Sequence, residues 1–63
     1  MREQLLAAAR ACRAEVLSGG ARQLKEIRKI AFEVGRQLDR NVQVDEKGND
    51  VVVTFAARVT EWP

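Results

Sequence analysis

The sequence predicts an α+β domain in which two antiparallel helices are followed by a β-hairpin, in the order ααββ, with the hairpin's apolar face packed on the helices. Three observations predict it. Leu24, Ile27, Ala31, Val34 and Leu38 recur at steps of three and four, the spacing that keeps side chains on one face of a helix, and Ile30 widens the stripe. Gly19-Gly20 separates this segment from an alanine-rich one before it. After Asn41, apolar and polar residues alternate on both sides of Lys47-Gly48, the period of half-buried strands joined by a turn.

The first helix is expected from about Arg2 to Leu17. Leu5, Ala8, Ala9, Cys12 and Val16 form its narrow inner stripe, and Ala7, Ala11 and Ala14 add helix propensity. Cys12 then reads as a small buried hydrophobe rather than a reactive thiol. Ser18-Gly19-Gly20 ends the helix and folds the chain back. The second helix is expected over 21 to 40, with Gly35 near its seam, where it allows close packing on the first helix. Asn41 serves as the left-handed residue just past it.

With Lys47-Gly48 as the loop, Val44 pairs with Val51 and Val42 with Val53, and Val51, Val53, Phe55, Ala57 and Val59 share one face. In that register the first strand reaches only to Thr54. Phe55 to Thr60 overhangs, with no proline and one charge to discourage edge pairing. The expectation is a homodimer whose seam contains Phe55, Ala57 and Val59 and whose sheet continues across two copies. Trp62 is expected to fold back over the small core.

Residues 1 to 63 make a single domain, and a chain this short buries only about 60% of its unfolded surface. Hydrophobic residues at 46% and charged residues at 32% argue for a folded chain rather than a disordered one. No apolar run approaches the ~18 residues that cross a bilayer, and the N-terminus lacks a secretory pattern, so a cytoplasmic protein that avoids membranes is expected. One cysteine and no histidine cannot assemble a zinc site or a histidine-activated nucleophile. The glycines lack the spacing of a phosphate loop. No enzyme, cofactor, metal or catalytic residue is therefore expected.

The net charge of +2 is unevenly placed. Residues 21 to 40 hold six bases and three acids, and residues 41 to 63 two bases and four acids, so the middle is basic and the tail acidic. On a helix of 3.6 residues per turn, Arg22, Lys25, Lys29, Arg36 and Arg40 fall within roughly 60° of one another, with Phe32 beside them. Lys25, Lys29, Phe32 and Arg36 are the candidate partner-binding residues, because an aromatic ring bordered by cations combines contact area with orientation. Two plainer accounts stand beside this one. Arg22 with Glu26, Lys29 with Glu33 and Arg36 with Asp39 have the spacing of solvated helix pairs, and a hairpin lying across the helix would make Phe32 part of the core.

These features suggest a small non-enzymatic protein-interaction module, an adaptor, inhibitor or assembly factor acting as a homo-oligomer on another protein. The alternative is a nucleic-acid binder using the basic face of residues 21 to 40, whose affinity would fall steeply with salt. The second helix lacks an array of Asn, Gln or Ser at its start for reading bases. The stretch REQLLAAARACRAEVLSG from Arg2 to Gly19 resembles the opening helix of the head-tail joining protein W family of lambda-like phages. LKEIRKIAFEV, from Leu24 to Val34, and the strand pattern around Gly48 are similar to that family's second helix and hairpin. The order differs, since that family places its hairpin between the helices. The resemblance implies a phage structural or accessory protein that works through protein contacts, and it assigns no site residues.

Overall fold

In the computed structural model, which describes residues 1–57, the opening helix α1 spans Arg2–Arg10 and stops well short of Leu17. Cys12 takes a left-handed conformation, with φ +53°. Its N–H donates to the Ala9 carbonyl at 3.2 Å and the Arg13 N–H to the Ala8 carbonyl at 3.0 Å. This is a Schellman closure, normally built around glycine. The chain then extends as strand β1, Ala14–Leu17. Cys12 is accordingly exposed at a turn instead of buried in a helix.

The ααββ order is corrected by this inserted strand. Gly19, with φ +69°, turns the chain, and Gly20 opens a 3₁₀ turn, Gly20–Gln23, that leads into α2, Leu24–Leu38. A Cβ on Gly20 would sit 2.8 Å from Ile27 Cδ1, so a larger residue is excluded without repacking. Asp39, at φ +57°, ends α2 two residues earlier than the expected Asn41. Strand β2, Arg40–Lys47, and strand β3, Asp50–Ala57, complete the chain. The class is α+β, with two helices and a three-stranded antiparallel sheet in the order β1-β3-β2.

The helices are not an antiparallel pair. Met1 and Gln4, at the start of α1, line one cavity with Gln23 and Ile27, at the start of α2. At the other end Arg40 Nε, just past α2, donates to the Ala9 carbonyl at 3.0 Å. Because β1 carries the chain back between them, the helices run in the same general direction.

The hairpin register also differs from expectation. Lys47 pairs with Asp50, so the loop is Gly48-Asn49, with Gly48 at φ +62°. Glycine with positive φ at the first loop position is the arrangement of a type II′ turn. Moving the turn by one residue shifts the pairing by two, so Val44 lies opposite Val53 and Val42 opposite Phe55. The apolar set keeps its face because side chains alternate with a period of two.

One face of the sheet carries both helices. Leu5, Ala8, Ala9, Ile27, Ala31, Val34, Val51, Val53 and Phe55 form the core, with Leu17, Ile30, Leu38, Val42 and Val44 partly buried around it. Gly35 is where α2 meets β2 rather than α1: a Cβ there would overlap Val42 Cγ2 and lie 3.1 Å from the Arg40 carbonyl oxygen. Ala14, Val16, Thr54, Gln43 and their neighbours occupy the other face, and Val16 is 55% exposed. No helix among the described residues is long and apolar enough to cross a membrane.

Candidate interaction surface

The surface grows from the helical repeat of α2. Ile27, Ala31 and Val34 point into the core, so residues about half a turn away must face out. Lys25, Lys29, Phe32 and Arg36 follow one another at steps of four, three and four, and all are exposed. The helix thus brings all four expected residues into one stripe. Phe32 is 52% exposed, which removes the account in which the hairpin covers it. The hairpin lies beneath the helix, against its buried face.

The basic sector is narrower than the helical wheel predicts. Arg22 belongs to the 3₁₀ turn and Arg40 to β2, so neither continues the α2 stripe. Arg40 is turned inward, where its Nη1 donates to the Leu38 carbonyl at 3.0 Å and its Nε to Ala9. The cation neutralises exposed carbonyls where both helices end.

The helix-face ion pairs are also different. Glu33 meets Arg2 of α1 at 3.7 Å, and Arg13 meets Glu15 at 3.3 Å. Neither Lys29 with Glu33 nor Arg22 with Glu26 is closed. Asp50, beside the hairpin tip, accepts the Gly19 N–H at 2.9 Å. Lys25 and Lys29 therefore present charge to the outside.

A groove runs beside the stripe between α2 and the outer edge of the sheet, lined by Phe32, Arg36, Arg40, Asn41 and Val42. Sequence reasoning missed this groove, because it depends on β2 packing under the C-terminal half of α2. The expected dimer seam loses its geometric basis as far as the described residues reach. Phe55 is 1% exposed, pairs with Val42 on one side and donates its N–H to the Arg13 carbonyl on the other. Ala57 pairs with Arg40, while Val59 and Trp62 lie outside the described residues. No protein-family model, curated protein or solved structure matches the chain.

Proposed function

We propose that this chain is a small protein-interaction module, an adaptor, inhibitor or assembly factor that acts as a homo-oligomer and meets an acidic protein surface through Lys25, Lys29, Phe32 and Arg36. The observation that carries the reading is Phe32, a large ring left half exposed on the face opposite the core and bordered by cations. Aromatic residues, Phe among them, and Arg are enriched at protein interfaces relative to the rest of the surface. The resemblance to protein W of lambda-like phages supplies a setting, assembly of a phage particle through protein contacts. Replacing Phe32 with Ala should leave the melting temperature nearly unchanged and weaken a partner captured from the host by about 1 to 3 kcal/mol. A large fall in melting temperature, or undiminished capture, defeats the reading.

A second reading, nucleic-acid binding, is favoured by the outward charge of Lys25 and Lys29. Phosphate contacts release counterions, so retention on DNA or RNA should then fall steeply with salt and disappear when both lysines become Glu. Wild-type protein that is not retained at low salt eliminates it.

A further inference from the structure

We infer that the outer edge of β2 is a self-pairing seam, through which a second copy of this chain extends the three-stranded sheet to six strands about a two-fold axis at Gln43. This specifies the self-association within the reading above.

The direction of the peptide groups decides which residues of β2 are left open. Phe55 N–H points toward β1, where it donates to the Arg13 carbonyl. Successive residues of a strand direct their peptide groups to alternate sides, so Val51 and Val53 also serve β1, whereas Asp50, Val52, Thr54 and Ala56 serve β2. Their partners Lys47, Asp45, Gln43 and Asn41 must point inward to meet them. Arg40, Val42, Val44 and Glu46 are left pointing outward, and among the described residues no strand pairs with that edge.

An antiparallel second copy satisfies these groups only when outward residues oppose outward residues. Placing Gln43 opposite Gln43 does so, setting Val42 against Val44 and Arg40 against Glu46, with Asn41 against Asp45 on the other face. Apolar meets apolar, and Asp45 meets the Asn41 amide, while the Arg40 guanidinium keeps its bonds to Ala9 and Leu38; this is the complementarity that favours a cross-strand pair. Neighbouring registers lose it: sliding the copies one way puts Arg40 opposite Val44, and sliding them the other way puts Val42 opposite Glu46. A slip to odd spacing sends the valines to the wrong face. The occupant is thus chosen by the strand's own sequence. The groove beneath Phe32 and Arg36 opens along this edge, and Val42 and Val44 are only half-buried in the single chain. The partner's Val44 enters beside Val42 and covers both.

The seam is tested by light scattering of the full chain at micromolar concentration, together with cysteine crosslinking in a Cys12→Ser background. Gln43 is exposed, so Gln43→Cys should fold when reduced. Opposed residues at a non-hydrogen-bonded antiparallel site lie within disulfide reach, so oxidation should link two copies efficiently. Asn41→Cys should not link to itself, because the two positions are offset by roughly 13 Å along the strands. A two-chain mass with the Gln43→Cys link and without the Asn41→Cys link is the expected result. A two-chain mass without the Gln43→Cys link, or with efficient linking by Asn41→Cys, overturns this seam and leaves self-association standing. A single-chain mass overturns both.

Discussion

Cys12 holds a backbone conformation that a side chain resists. At φ +53° it closes the Schellman motif of α1, a position where an L-residue is strained by about 1 to 2 kcal/mol and glycine is not. Replacing it with Gly should raise stability by about 1 kcal/mol, less than the full strain because glycine also loosens the unfolded chain. Cys12→Val should lower stability, since a β-branched residue tolerates positive φ least. Urea denaturation of the two variants checks the pair, and a Gly variant less stable than the wild type would show that the thiol has a packing role. The same residue explains why the end of α1 was hidden in the sequence. Ala11-Cys12-Arg13 contains no glycine or proline, and Leu5, Ala8, Ala9, Cys12 and Val16 continue a helical stripe without interruption. The left-handed residue is imposed by the strand beyond it.

That strand, β1, owes its place to a partner far along the chain. Ala14–Leu17 pairs with 51–54, supplying hydrogen-bond partners to the inner strand that a continued helix would leave open. Four residues are too few to establish a period of their own, so this strand was not legible. The hairpin was, because its alternation spans six residues on each strand and survives a shift of the turn. Helix α2 was legible for the corresponding reason at a period of 3.6, and its outward stripe with it. Arg40 joins these elements. Its guanidinium donates to Ala9 of α1 and to Leu38 of α2 from the first residue of β2. Arg40→Met keeps much of the aliphatic stem and removes those donors, and it should cost about 1 to 3 kcal/mol in urea denaturation, within the range for part-buried bonds to a charged group. Arg40→Lys should recover only part of the loss, because one ammonium cannot reproduce the forked donor geometry. Equal stability of Arg40→Met and wild type would mean that water replaces the guanidinium at no net cost.

On the scale of the whole molecule, the two phenylalanines lie on opposite sides of the boundary between core and surface. Phe55 is the largest fully buried side chain among the described residues, while Phe32 lies half exposed across the helix from the core. The sequence put Phe55 on the apolar face of its strand but in a seam between copies, and left Phe32 between contact surface and core. The face of Phe55 followed from strand alternation and its burial from the shifted turn that brings Val42 opposite it, whereas Phe32 depended on which face of α2 the sheet would cover, and that is settled by Gly35 admitting Val42 and the Arg40 carbonyl. A domain of this length has roughly 3 to 9 kcal/mol of total stability. Truncating a buried Phe to Ala costs about 3 to 5 kcal/mol, so Phe55→Ala should largely or wholly abolish the cooperative thermal transition in circular dichroism. Phe55→Leu retains most of the apolar volume and should still melt cooperatively at a lower temperature. Phe32→Ala, an exposed truncation, should stay within about 0.5 kcal/mol of the wild type. A cooperative Phe55→Ala melt close to wild type would mean that the core is not centred on this ring. With Phe55 holding the fold, the surviving exposure of Phe32 is then free to be read as contact surface.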